Sequence, residues 1–342
     1  MSEIVLRNRL LSIRAPRRLV VVNILLAAIV LLVFASGLFG GTYPISLGDV
    51  TAALTGQADA ATTMVVVENR MPRLLTALGV GIAFGLAGEM IQTLLRNPLA
   101  SPDVIGFTSG AGLGAVLTVA ATGATAMVLP GAMVGGAAAA VLLLALTWNK
   151  ALSPGSLVLV GIGLTITLGV MTDLLMTRID ANNVAELVKW IIGSLSARSW
   201  VDVSVIWLGL AVLMPVAFWH QFALARLTMD DPVAVSLGQN ITFGRMLTIA
   251  LAVMLVALAV AAAGPLPFVA FAAGPIAHGL TRQTRPTLFS AAMVGALITL
   301  LSDKAAQSLP GFFVLPAGIF TALIGAPVLI WVLVLQSKRR RL

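Results

Sequence analysis

Apolar runs of about 20 residues recur along the chain, from residue 19 to residue 336. An α-helix needs about that many residues to cross the hydrocarbon core of a bilayer. Inside lipid a chain can satisfy its backbone groups only as a helix or a closed barrel, so these runs predict membrane-spanning helices. Composition agrees, since 59% of the 342 residues are hydrophobic and 10% are charged.

Hydropathy and helix-breaking residues predict one all-α membrane domain over residues 1–342, with about ten transmembrane helices. No polar segment is long enough for a separate soluble domain. The first run is too long for the core of a signal peptide, so we expect it to be retained. In the short eighth span, Gly264-Pro265 and Gly274-Pro275 predict a broken helix. The predicted spans are 19–39, 72–95, 104–122, 126–147, 156–176, 203–221, 244–263, 266–280, 287–303 and 316–336.

Basic residues set the predicted orientation. Nine of the 21 Lys and Arg residues lie in two tails, 1–18 and 337–342, and both tails share one side if the number of spans is even. With both termini cytoplasmic, 15 basic residues lie inside and six outside, as the positive-inside rule requires. The sequence therefore predicts a multi-pass protein of the cytoplasmic (inner) membrane, in contact with lipid. The net charge of +8 then requires no nucleic acid partner.

Several classes of chemistry lack their residues in this sequence. The chain has no cysteine, which excludes disulfides and thiolate metal sites. It contains no G-x-x-x-x-G-K-S/T, so any ATP-Mg must be bound by a partner. The histidines His220 and His278 do not form H-E-x-x-H. We expect no enzyme activity, cofactor or resident metal in this chain.

Short sequence blocks that are distinctive in composition surround the second span. Residues 70–73 read RMPR, the span ends in QTLLRNPLASP at 92–102, and GFTSGA follows at 106–111. Further blocks lie at 264–269 and 315–318. Together they resemble the FecCD-type permease family, the membrane subunits of ABC importers for iron-siderophores, haem and vitamin B12. Within it, the blocks look most like a ferric enterobactin permease subunit.

The resemblance implies a type II ABC importer permease fold and a transport function. Its expected partners are a second permease subunit, identical or paralogous, two ATPase subunits and an extracytoplasmic siderophore-binding protein. The expected substrate is a ferric siderophore, driven by ATP that the partner ATPase hydrolyses.

Arg70 and Arg73 lie at the predicted outer end of the second span. The resemblance implies that arginines here bind carboxylates of the binding protein, which suits the bidentate geometry of Arg. The alternative is that both side chains reach the outer lipid headgroups. Gln307 stands where the family has a third arginine, and Lys304 lies one turn earlier, so we expect a weaker outer contact.

The cytoplasmic loop 222–240 resembles the family's coupling segment, two short helices that sit in a cleft of the ATPase. The alternative is an ordinary connector. Asp230 replaces a common glycine and Pro232 a common acidic residue, and Asp230 is predicted to be an N-cap. The residues expected to couple are Leu224, Asp230, Asp231, Ala234, Leu237 and Gly238.

Two carboxylates, Glu89 and Asp173, fall inside predicted spans, where a charge costs about 2.5 to 3.5 kcal/mol. Either could line a substrate pathway. For Glu89, where the family has a small apolar residue, the alternative is an interhelical hydrogen bond to Ser, Thr or Gln. For Asp173 it is local pairing with Arg178. Both carboxylates could instead be relays of a proton-coupled secondary transporter. His278, at a family arginine position, is expected to be interfacial.

Overall fold

The structure is a computed structural model that describes residues 3–7, 12–40, 43–123, 128–148, 152–308 and 315–339. All ten predicted spans coincide with helices, which confirms the all-α membrane fold class. The tail before the first span contains a feature that the sequence did not predict, an antiparallel hairpin of β1 (Glu3–Arg7) and β2 (Ser12–Pro16).

The helices follow in chain order, and two irregular helical segments lie among them. A π-helical segment, Met64–Arg70, leads into α4, and a 3-10 turn, Pro102–Ile105, precedes α5. The helices are α1 (Arg17–Phe39), α2 (Leu47–Leu54), α3 (Ala60–Thr63), α4 (Met71–Leu94), α5 (Phe107–Thr122), α6 (Val128–Thr147), α7 (Pro154–Met176), α8 (Ala181–Ile192), α9 (Trp200–Leu227), α10 (Asp231–Ser236), α11 (Ile241–Ala263), α12 (Val269–Thr281), α13 (Leu288–Ser308) and α14 (Ala317–Arg339).

Eight helices of the described ranges are long and apolar enough to span a membrane, whereas α5 and α12 are shorter apolar helices. The predicted break before α12 is present, because Gly264 has a φ of +74° and α12 begins only at Val269. The second predicted break is absent, since α12 continues through Pro275. Pro275 has no N–H for the carbonyl of Phe271, and the Gln92 side chain donates to that oxygen instead, at 2.9 Å.

Helix α4 forms the centre of the bundle and is 89% buried over its most apolar window. It packs against α9, α11, α12 and α13. Small residues on α4 and α13 bring the two antiparallel backbones into direct contact, and we call this contact the glycine seam. A Cβ atom at Gly85 would lie 2.3 Å from the Ala291 carbonyl oxygen, and one at Gly81 would lie 2.5 Å from the Gly295 carbonyl oxygen.

A short helix, α2, lies between the first two spans and begins with a capping box. The Ser46 hydroxyl accepts from the Asp49 N–H at 3.2 Å, while Asp49 accepts from the Ser46 N–H at 2.9 Å. The Ser46 hydroxyl also donates to the Asp49 carboxylate at 2.8 Å, and the two bonds that this carboxylate accepts from the backbone N–H and the hydroxyl of Ser46 lower the pKa of Asp49. The box therefore stabilises the start of α2 as long as Asp49 is ionised.

Candidate functional site

The end of the glycine seam that is predicted to face outward carries an ion pair between α4 and α13. Arg73 holds Asp303 in two places, Nη2 to Oδ1 at 2.8 Å and Nε to Oδ2 at 2.9 Å. Gln307 donates to Oδ2 of the same carboxylate at 2.8 Å. We call Arg73, Asp303 and Gln307 the outer cluster. It brings two predicted docking residues together through a carboxylate that sequence reasoning did not select.

Burial shows how firmly this pair is held. The Asp303 side chain is 1% exposed and that of Arg73 is 17% exposed. A charge so far from water needs a partner, and Asp303 has three bonds from Arg73 and one from Gln307. A signal for Asp303 was available, because it is a carboxylate at the very end of a predicted span.

Arg70 lies outside this cluster. Its two terminal nitrogens donate to backbone carbonyls, Nη1 to Leu38 at 2.6 Å and Nη2 to Tyr43 at 2.7 Å. These bonds tie the π-helical segment to the last turn of α1 and to the chain that follows it. Lys304 also bonds to α1, through the hydroxyl of Ser36 at 2.7 Å. Arg70 and Arg73 are therefore near neighbours in sequence with different structural partners.

The segment 222–240 contains α10, which two arginines from the bundle hold in place. Arg245 of α11 donates to Asp231 at 2.8 and 3.0 Å, and the Arg245 side chain is 5% exposed. Arg96, just after α4, lies 3.4 Å from Asp230 and 3.7 Å from Asp231. Arg96 also donates to the carbonyls of Leu227 and Met229. Sequence reasoning had not selected either arginine.

Asp230 corrects one detail of the sequence analysis. It does occupy the N-cap position of α10, as predicted, but its side chain makes no capping hydrogen bond. The carboxylate pairs with Arg96 instead. A guanidinium and the backbone N–H groups of an N-cap both make charge-assisted bonds to a carboxylate, and here the carboxylate faces the guanidinium.

The other residues selected in this segment divide by exposure. Leu224 and Ala234 are buried and anchor the segment to the bundle. Leu237 is 55% exposed, and Val233 and Val235 beside it are also exposed. Gly238 ends the helix with a φ of +77°, a conformation that favours glycine. The segment thus has a fixed side and an apolar outward side.

Glu89 and Asp173 lie in different surroundings. Glu89 of α4 is fully buried, and its Oε1 accepts from the Thr287 N–H at 2.8 Å and lies 2.9 Å from Nε2 of His278. Asp173 is exposed on α7. Among the hydrogen bonds and ion pairs of the described residues, none joins Asp173 to Glu89 or to Arg178. The structure does not bring the two proposed relay groups together.

His278 has defined partners, which the sequence analysis did not anticipate. It is half-buried near the end of α12, and its Nδ1 lies 2.9 Å from the Gln283 carbonyl oxygen. The interhelical hydrogen bond considered for Glu89 does form, but to His278 and a backbone N–H rather than to Ser, Thr or Gln.

Comparison with known proteins gives consistent matches along the whole chain. Residues 25–335 match the model of the FecCD transport family. The chain is 34% identical over 330 residues to the ferric enterobactin transport system permease protein FepG of Escherichia coli, covering 96% of this chain and 100% of FepG. It is 33% identical over 321 residues to the Fe(3+)-citrate import system permease protein YfmE of Bacillus subtilis, covering 93% and 96%.

A solved structure has the same fold. It is an inward-facing conformation of an ABC transporter described as of the metal-chelate type, and it matches with a TM-score of 0.82 and 28% identity. The match covers 92% of this chain and 99% of that one. The similarity therefore extends over most of the chain.

Proposed function

Because the chain belongs to the FecCD transport family, we propose that it is the permease subunit of an ATP-driven importer that moves a ferric siderophore across the inner membrane. Permeases of this family are transport subunits, and the ATPase of an ABC transporter is a separate subunit. The observation that carries the choice of substrate is the end-to-end similarity to a permease for ferric enterobactin. A binding protein outside the membrane delivers the chelate in this proposal.

A second permease subunit completes the pathway in this proposal. Helix α7 is only 22% buried over its most apolar window, and Leu159, Ile166 and Leu174 on it are each more than 60% exposed. Such faces must be covered by lipid or by another protein. We propose that part of α7, including Asp173, borders a conduit between two subunits, and that other faces contact lipid. A weakly charged wall suits passage of a large chelate without retention.

The segment 222–240 is the coupling element in our proposal. Val233, Val235 and Leu237 form an exposed apolar surface on a short helix outside the spans. An apolar surface of this kind in an aqueous compartment marks a protein contact, and an ATPase subunit is the partner that the family supplies. The two arginines then connect that contact to the bundle, Arg96 to α4 and Arg245 to α11.

The arginines at the other end of α4 support docking of the binding protein. Asp303 occupies the Nε and Nη2 edge of Arg73, and among the described residues Nη1 has no hydrogen bond. The guanidinium is therefore held in one orientation with donors to spare, which suits an incoming carboxylate. Arg70 and Gln307 flank this position in our proposal.

Reconstitution into vesicles tests the function. The chain is assembled with its ATPase, its second permease subunit and its binding protein, and uptake of radiolabelled ferric siderophores is measured. We expect uptake that needs ATP and the binding protein and that survives an uncoupler. Uptake that persists without ATP and collapses with the proton gradient would instead identify a proton-coupled secondary transporter.

A further inference from the structure

A buried carboxylate, Glu89, meets a histidine where α4, α12 and the start of α13 come together. The Glu89 side chain is 0% exposed, and His278 approaches it from α12 at 2.9 Å. The N–H of Thr287, just before α13, donates to the same oxygen. The second oxygen, Oε2, is buried without a hydrogen-bond partner. A buried carboxylate with one unpartnered oxygen is costly unless a proton or a cation compensates it.

The hydrogen bonds determine how many protons this pair holds. Nδ1 of His278 lies against the carbonyl oxygen of Gln283, which can only accept, so Nδ1 carries a hydrogen. Nε2 then faces Oε1 of Glu89, and a contact of 2.9 Å between them requires one hydrogen in between. That proton is shared whether the pair is written as imidazolium and carboxylate or as neutral imidazole and carboxylic acid.

The backbone of α12 is shaped to admit this pair. Gly274 lies one helical turn before His278, and a Cβ atom there would be 2.8 Å from Oε2 of Glu89 and 2.0 Å from Oε1 of Gln92. Gln92 lies on the same face of α4 and bonds to the Phe271 carbonyl. A glycine at position 274 therefore leaves room for two polar side chains of α4 against α12.

From this geometry we propose that Glu89 and His278 form a proton-binding site that holds α12 against α4, and that the proton exchanges with the cytoplasm through His278. The imidazole is the accessible partner, because its side chain is 34% exposed whereas that of Glu89 is enclosed. When the proton leaves, two acceptors face each other across the contact and the attraction between α4 and α12 is lost. The contact between Glu89 and His278 therefore holds α12 against α4 at lower pH and no longer does so at higher pH.

Other charged groups near this site are engaged elsewhere or lie apart from the pair. Arg18 on α1 donates to the Leu280 carbonyl, and Arg96 at the end of α4 and Arg245 on α11 bind the aspartates of α10. Arg282 and Arg285 lie on the turn between α12 and α13. None of the hydrogen bonds among the described residues joins these arginines to Glu89 or His278. Among the charged groups of the described residues, Glu89 and His278 therefore bond only to each other.

Histidine NMR on the assembled transporter in nanodiscs tests the proposal directly. The chain contains only two histidines, so its own signals are few, and the variants H278Q and H220Q assign them. His220 is an internal control, because its ring contacts the hydroxyl of Thr248 and not a carboxylate. The Glu89→Gln variant preserves shape and removes the charge, and Asp173→Asn removes the same charge from an exposed site.

We expect Nδ1 of His278 to remain protonated while Nε2 titrates. In Glu89→Gln the proton affinity of His278 should fall at least tenfold, which is one pH unit. The titration midpoint of His220 should not change in Glu89→Gln. In Asp173→Asn, both histidines should keep their wild-type midpoints. A smaller change in Glu89→Gln, or loss of the Nδ1 hydrogen from His278, would overturn the proposal.

Hydrogen–deuterium exchange of the Thr287 amide tests the mechanical part. As pH rises through the His278 midpoint, protection of this amide in the wild type should fall at least tenfold more than in Glu89→Gln. An equal fall in the two proteins would show that proton loss does not release the contact. Neither measurement needs substrate or ATP, so the result stands apart from the success or failure of the transport assay.

Discussion

The two ends of the glycine seam are held by polar pairs of different kinds. At one end Arg73 binds Asp303, and at the other Glu89 binds His278 and the N–H before α13. A guanidinium keeps its charge at every pH that a cell reaches, whereas an imidazole does not. Helix α4 is therefore joined permanently to α13 at one end of the seam and conditionally to α12 at the other.

This difference has a consequence for motion. Helix α4 is the most buried of the eight long apolar helices, and a rigid rod of this kind can only tilt or shift as a body. If the proposed proton site operates, the permanent bond at the predicted outer end would serve as a pivot, and loss of the proton at the other end would let α12 move against α4. The four predictions below test this contrast from the largest expected effect to the smallest.

Removing the permanent bond should have the largest effect. In Arg73→Leu, the buried carboxylate of Asp303 loses its cation, and the free energy of unfolding should fall by about 3 to 5 kcal/mol. Unfolding in mixed micelles at increasing denaturing detergent measures this. The double variant Arg73→Leu, Asp303→Leu should recover most of the loss, because no charge is then buried alone. If the double variant were as unstable as the single one, the ion pair would not be the cause.

Adding a bulky side chain to the glycine seam should have the second-largest effect. A side chain at Gly85 meets the Ala291 carbonyl, so Gly85→Val should separate α4 from α13 and destabilise the protein by about 1 to 3 kcal/mol. Gly112→Val on α5 is the matched control, since a Cβ atom there has no neighbour within 4 Å. Equal loss of stability in both variants would mean that the cost comes from β-branching in a helix and not from the seam.

The pH dependence of stability should separate the two ends of the seam. The pair of Glu89 and His278 contributes stability while the folded protein keeps the shared proton, and that contribution is lost as pH rises past the His278 midpoint. A tenfold difference in proton affinity corresponds to about 1.4 kcal/mol. The fall should disappear in Glu89→Gln and persist in the Arg73→Leu, Asp303→Leu protein. Unfolding midpoints measured across neutral pH check both statements.

Weakening the link between α4 and α10 should have the smallest effect. Arg96→Gln keeps a donor but loses the charge that binds Asp230 and Asp231, so siderophore transported per ATP hydrolysed should fall about fivefold. ATPase co-purification should be unchanged, because the apolar surface of α10 is intact. Arg178→Gln, at an exposed site after α7, is the matched control. An unchanged ratio in Arg96→Gln would remove α4 from the coupling route.

The different partners of Arg70 and Arg73 determine which variant can test docking of the binding protein. Replacing both Arg70 and Arg73 would confuse docking with stability, because Arg73 supports Asp303. Within the described part of the chain, the hydrogen bonds of Arg70 go to backbone carbonyls and not to a carboxylate, so a change there leaves none of these residues as an unpaired buried charge. Arg70→Gln is therefore the informative variant for binding-protein-stimulated ATPase activity.

Sequence reasoning identified much of the fold from local signals. Each predicted span coincides with a helix, and the break predicted at Gly264 is present. These features depend on residues close together in the chain, such as an apolar run or a Gly-Pro pair. The break expected at Pro275 was wrong. The carbonyl of Phe271, which receives no N–H from Pro275, accepts a hydrogen bond from the side chain of Gln92, and Gln92 lies on another helix.

By itself, then, the sequence determined the membrane class, the positions of the spans and the family, because hydrophobic length and short motifs are local properties. Only the tertiary structure decided which charges meet. Arg73 and Asp303 are 230 residues apart, and Glu89 and His278 are 189 apart. Pairs at such separations depend on which helix faces are in contact, and in this chain close backbone packing at small residues sets those faces.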